Sequence, residues 1–165
     1  MAQNPDSEIL GSNDRSVALG PQPTQTQVRL APQPLAAYAA SFTPDTVARD
    51  KPGEPDRLFL RLRNIRGNQG ACIFDVAVSV PGAAAAPATV GSLALFGLEY
   101  ASDPKNEHGG GGLTKTFEIT EELDRFLPEL KQAGSILVDI SPRGTLGPGD
   151  HITVEQIDLY RLSAG

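Results

Sequence analysis

Four side chains in this sequence could carry chemistry: the histidines His108 and His151, the cysteine Cys72, and Asp75, a carboxylate set in the middle of a strand. A catalytic zinc or a binuclear copper site takes three or more nitrogen or carboxylate ligands held in register. His108 lies beside a run of four glycines and His151 opens a strand, and neither has a partner at ligand spacing. Both read as solvated loop histidines. The glycine run, residues 109–112, is followed by Leu113-Thr114 and not by the Lys-Ser/Thr of a phosphate loop. Ser92 and Ser135 lack the Gly-x-Ser-x-Gly setting of an activated serine. Glu121 and Glu122 suit the first turn of a helix, where the dipole favours acids. Cys72 sits on the apolar face of a strand and reads as a small buried hydrophobe. Asp75 needs a partner wherever it is buried, and Arg61 or Arg63 on the strand expected beside it could supply one. That predicts a structural ion pair and no catalysis. The expectation is a non-enzyme, with no catalytic, cofactor-binding or metal-binding residue.

The elements that position these side chains are strands. Residues 71–80, ACIFDVAVSV, alternate strictly, with Cys72, Phe74, Val76, Val78 and Val80 on one face and Ile73, Asp75, Ala77 and Ser79 on the other. Before them, RLFLRLRNI places Leu58, Leu60 and Leu62 opposite Arg57, Arg61 and Arg63. The connection contains Gly67, Asn68 and Gly70, so a hairpin of these two strands is predicted. Further strands are predicted at residues 16–19, 25–31, 90–99, 114–119, 136–140 and 152–162, the last with a bulge where its phase shifts between Val154 and Ile157. Along 90–99, Leu93 and Leu95 point inward, with Phe96 or Tyr100 competing for the interior. Residues 35–42 fit either a helical turn or a crossing loop, and 43–56 a connector. The period becomes helical at 121–130, where Leu123, Phe126, Leu127 and Leu130 form one stripe. Thr120 is its expected N-cap, Pro128 its break and Gly134 its end. The sum is all-β: an antiparallel, jelly-roll-like β-sandwich of seven or eight strands with one short helix.

Composition bounds the partners. The 165 residues suit one domain, here 16–165 behind a polar arm or linker at 1–15, and 17 Gly with 14 Pro suit a turn-rich β protein. A net charge of −6 without a Lys/Arg cluster argues against nucleic acid or an anionic membrane as partner. One cysteine allows no internal disulfide. No basic segment leads into an apolar stretch at the N-terminus, and no apolar run reaches the roughly 18 residues of a span. The expectation is a soluble chain left in the cytoplasm.

The order RLFLRLRNIRG, IFDVAVSVPG, VGSLALFGLE, HGGGGLTKTFEIT, SILVDISPRG, ITVEQIDLYRL resembles the C-terminal domain of tyrosinases and polyphenol oxidases, over residues 8–162. In the plant enzymes that domain carries a Lys-Phe-Asp-Val motif. Phe74, Asp75 and Val76 match it here, and Ile73 stands where the lysine would be. Gly91-Ser92 is similar to the family's Gly-Ser-Phe step and Pro142-Arg143 to its Val-Pro-Arg turn. Leu95-Phe96-Gly97 with the glycine-rich loop is closer to the bacterial members. Residues 9–19 look like the linker to the copper domain.

The resemblance implies a non-catalytic shielding and maturation domain of a type-3 copper oxidase. The two coppers would be held by six histidines of a tyrosinase catalytic domain, in cis or in trans, and this chain would carry no cofactor of its own. A shield needs an apolar side chain where a phenol ring would sit, and Phe96, Leu98 and Leu113 are the candidates. The alternative from a different class is a free-standing β-sandwich module binding protein or carbohydrate.

Overall fold

The structure is a computed structural model that describes residues 7–13, 15–40, 56–68, 72–105, 111–144, 146, 147 and 149–162. Nine strands are described: β1 (Ser7–Ser12), β2 (Val17–Leu19), β3 (Thr24–Leu30), β4 (Arg57–Gly67), β5 (Ile73–Ser79), β6 (Ala88–Ala94), β7 (Leu113–Glu118), β8 (Ser135–Pro142) and β9 (Ile152–Leu162). Four short helices accompany them: α1 (Pro32–Ala40), α2 (Leu98–Ser102), α3 (Thr120–Asp124) and α4 (Leu127–Ala133). Every pairing is antiparallel, in the order β6-β5-β8-β3-β1-β9-β4-β7, with β2 beside β9. The sheet curls until its ends nearly meet. Phe117 of β7 lies so close to Gly91 of β6 that a Cβ there would stand 3.0 Å from its ring.

The expected hairpin does not form. β4 is bonded to β7 and β9, and β5 to β6 and β8, so the two strands lie in opposite halves of the sandwich. Alternation identifies the buried face of a strand and leaves its neighbour open. The burial itself is as expected. Leu58, Leu60, Leu62, Phe74, Val76 and Val78 are all buried and belong to one core cluster.

Residues 7–12, read from sequence as part of a polar arm, form β1 at the centre of the sheet, with Leu10 in the core. The segment that looks like a linker is therefore structural from Ser7 onward. The phase shift of β9 is present too, since Ile152 and Val154 are buried and then Ile157 and Leu159. Its cause differs from the expected bulge. β4 shifts phase at the same level, from Leu62 to Ile65, and the β4–β9 register runs through unchanged. The register breaks instead between β4 and β7, where Asn64 takes φ 53°, and between β1 and β9 at Ile9/Gly11. Asn64 tolerates that backbone and its amide donates to Glu155 at 2.6 Å.

The single helix expected near 121–130 is two. Ile119, not Thr120, is the N-cap of α3, and the Thr120 hydroxyl instead accepts the Leu58 N–H at 2.9 Å. Pro128 sits in the first turn of α4, where a missing N–H costs nothing, so the break falls just before it. Gly134 ends α4 at φ 65°, as its position predicts. The strand expected over 90–99 stops at Ala94, and Gly97 at φ 79° turns the chain into α2. Of the ambiguous stretch 35–42, residues up to Ala40 belong to α1, which buries Leu35 and Tyr38. Phe42 and the connector up to residue 55 lie outside the described residues.

Candidate functional site

Asp75 is paired, though with neither expected arginine. Its carboxylate meets Arg143 of the β8 end at 2.5 Å and accepts from the Ser92 hydroxyl at 3.3 Å, with all three side chains at the surface. Arg61 and Arg63 are out of reach because β4 is not a neighbour of β5. The Arg143 guanidinium holds the Asp75 carboxyl below its usual value. Phe74 and Val76 of the same motif point the other way, into the core.

Arg61 and Arg63 serve a residue that the sequence did not single out. Asp158, fully buried in β9, lies 3.1 Å from Arg61 and 2.8 Å from Arg63, and accepts from Ser12 at 2.6 Å. A carboxylate between Ile157 and Leu159 was the available signal, since inward neighbours on both sides place it on the outer face. A second bridge joins Arg161 to Glu8 at 2.7 Å and to buried Asp56 at 2.5 Å. Phe59 and Tyr160 stack at 5.2 Å on the same outer face. Arg57 lies over the Phe59 ring at 5.2 Å and Arg61 over the Tyr160 ring at 5.1 Å.

The other candidates sit apart. His151 is exposed, with Nδ1 3.3 Å from the Gly149 carbonyl, and His108 lies outside the described residues. Cys72 is half-buried at the mouth of β5, where burial and then Asp150 push its thiol up. Ser135 is buried and accepts from Gln27 at 2.9 Å. Glu121 and Glu122 lie in the first turn of α3. Among the described residues no three ligating side chains gather as a metal site. With two histidines in the whole sequence, the chain does not fit a six-histidine copper pair.

The fold does bring the three apolar candidates to one end of the sandwich. α2 packs against the end of β4, where the Ser102 hydroxyl accepts the Gly67 N–H at 3.0 Å and Leu98 lies over Gly67. The Gly112 N–H donates to Ala101 at 3.0 Å, which fixes Leu113 beside the helix. Leu98 is 0% exposed and holds α2 onto the core, so it offers no surface. Phe96 is 65% exposed on the turn before α2, and Tyr100 within it is 59% exposed. Leu113 is half-buried. Sequence periodicity could not separate Phe96 from the interior, because Leu98 takes the place it was competing for.

These features define an all-β sandwich domain that, among the described residues, exposes Phe96 and Tyr100 at the end carrying α2. The chain belongs to the family described as a domain of unknown function, DUF7868, whose model matches residues 6–162. It is 24% identical over 163 residues to tyrosinase HcTyr1 of Hahella sp. (strain CCB-MM4), covering 94% of this chain and 33% of that protein. The structure of latent apple tyrosinase (MdPPO1) matches with a TM-score of 0.50 at 16% identity, over 88% of this chain and 27% of that one. Recombinant latent aurone synthase, a polyphenol oxidase, matches at a TM-score of 0.49 and 18% identity, over 91% and 26%. In the plant proteins the matched part is the C-terminal domain. The chain spans about a third of the curated relative it matches. No helix among the described residues is long and apolar enough to cross a membrane.

Proposed function

We propose that this chain is a non-catalytic shielding and maturation domain of a type-3 copper oxidase, covering the entrance of a copper site carried by a tyrosinase catalytic domain. The observation that carries the proposal is homology to one third of a tyrosinase along nearly the whole chain, in a sequence too poor in histidine for the copper site itself. The apple tyrosinase that shares the fold is a latent form, the state a shield enforces. An apolar side chain on a short turn suits the task, because strand residues already serve the core. Phe96 is our first choice for the plug and Leu113 the second. Phenol and plug would compete for one space, so displacing the plug switches the partner on.

The reading as a carbohydrate module has less support. The Phe59–Tyr160 stack on the outer face offers no sugar platform, because Arg57 and Arg61 lie over its rings.

The test is to add the purified chain to an active tyrosinase copper domain and follow catechol oxidation. The wild type should inhibit and Phe96→Ala should inhibit less. If wild type, Phe96→Ala and Leu113→Gly inhibit equally, neither residue is the plug. If the wild type inhibits no partner, the shielding function is wrong.

A further inference from the structure

Resting on that shielding function, we infer that the tether from an upstream copper domain enters at the end of the sandwich opposite the docking end, and so must run back along its whole length. β1 begins at Ser7, which stands level with Leu162, and Leu162 in turn with Arg57. The docking end is marked by Ile152 opposite Gly67, the residue against which α2 packs. Phe96, Tyr100 and Leu113 belong to that end through α2 and the Gly112–Ala101 hydrogen bond. β9 joins the two ends in 11 residues. At about 3.3 Å per residue its length is about 33 Å.

The occupant of the docking end is the copper domain, and the place where the chain enters sets the constraint. Ser7 lies within the central strand of the sheet, held by β9 on one side, so the entry point cannot slide toward the α2 end without unzipping β1. Glu8–Arg161 at 2.7 Å and Ser12–Asp158 at 2.6 Å pin that strand at both ends. A tether starting at the rim of the copper entrance therefore needs at least about ten extended residues to let the α2 end turn back onto the copper. Joined through Met1, a direct fusion leaves six residues ahead of Ser7, and six residues span at most about 20 Å when extended.

Two fusions test this, each joining the full chain through Met1 to a tyrosinase copper domain whose last residue lies at the rim of its copper entrance. One is direct and the other carries twenty Gly/Ser residues. The direct fusion should oxidise catechol like the bare copper domain, and the long-tether fusion should be at least tenfold less active. A photocrosslinking side chain in place of Phe96 should label the copper domain within the long fusion and not within the direct one. Equal latency of the two fusions overturns the inference, because docking would then need no return path. Equal activity of the two, with the free chain inhibiting in trans, overturns it as well. Failure of the free chain to inhibit in trans removes the shielding function itself, and this inference with it.

Discussion

Asp158 and Arg61 face each other across β9 and β4 with Oδ2 and Nη2 3.1 Å apart, and the carboxylate is fully buried although it lies on the outer face of the sheet. Arg61 and Arg63 roof it over, and Ser12 of β1 closes the third side. The arrangement ties β1, β4 and β9 together at one point. Burying a carboxylate is tolerable here because two guanidiniums and a hydroxyl replace its water.

Removing that carboxylate leaves two arginines facing an empty site. Asp158→Ala should cost about 3 kcal/mol, at the lower end for a broken buried pair because both arginines can swing out to solvent. Urea unfolding read by circular dichroism measures it. A midpoint within error of the wild type would show that the pair contributes nothing net.

Gly112 and Gly82 separate backbone strain from collision. Both have positive φ, 78° and 83°, but a Cβ on Gly112 would stand 2.3 Å from the Ile65 carbonyl oxygen while nothing lies within 4 Å at Gly82. Gly82→Ala should cost about 1 kcal/mol of strain alone. Gly112→Ala should cost about 3 kcal/mol, since the β4–β7 ends must also part. Equal thermal shifts for the two variants would refute the collision.

Phe96 and Leu98 should respond oppositely in stability and in inhibition. Leu98→Ala should lose about 2–5 kcal/mol, as for any buried leucine. Phe96→Ala should stay within about 0.5 kcal/mol of the wild type, as an exposed residue does, yet weaken inhibition of a copper domain in trans. A large stability loss from Phe96→Ala would place the ring in the core and not at an interface.

The Tyr38 phenol is raised well above its usual value, by burial first and then by the charges of Asp124 and Asp56. The unfolded chain releases this proton from about pH 10 upward while the folded chain still holds it. Its contribution to stability is therefore whole below that pH and falls away as pH rises toward the folded value. Tyr38→Phe should flatten the decline in the urea midpoint from about pH 10 upward. An unchanged slope would show that Tyr38 does not titrate with unfolding.

Copper loading of the purified chain should give no stoichiometric binding and no oxidation of monophenols or catechols, because its histidines number two. Isothermal titration and an oxygen electrode check both halves. Catechol turnover by the pure, metal-loaded chain would overturn the non-catalytic function.

The sequence by itself determined the buried faces of β4 and β5. Period-two placement put Leu58, Leu60 and Leu62, and separately Phe74, Val76 and Val78, into the core, because alternate side chains of any strand share a face whatever its neighbours are. It also determined the end of α4 at Gly134, a local matter of backbone freedom. Only the tertiary structure decided which strands pair. β4 and β5 lie in opposite halves of the sandwich, and that one choice moved Arg61 and Arg63 from Asp75 to Asp158 and gave Asp75 to Arg143. Strand pairing across long loops is selected by the whole core at once, and no window of residues contains it. The same holds for the candidate site. Phe96, Leu98 and Leu113 were legible as apolar residues near a glycine-rich loop. That Leu98 fills the interior while Phe96 faces water was settled by α2 folding back over Gly67, where Leu98 is the side chain that reaches the core.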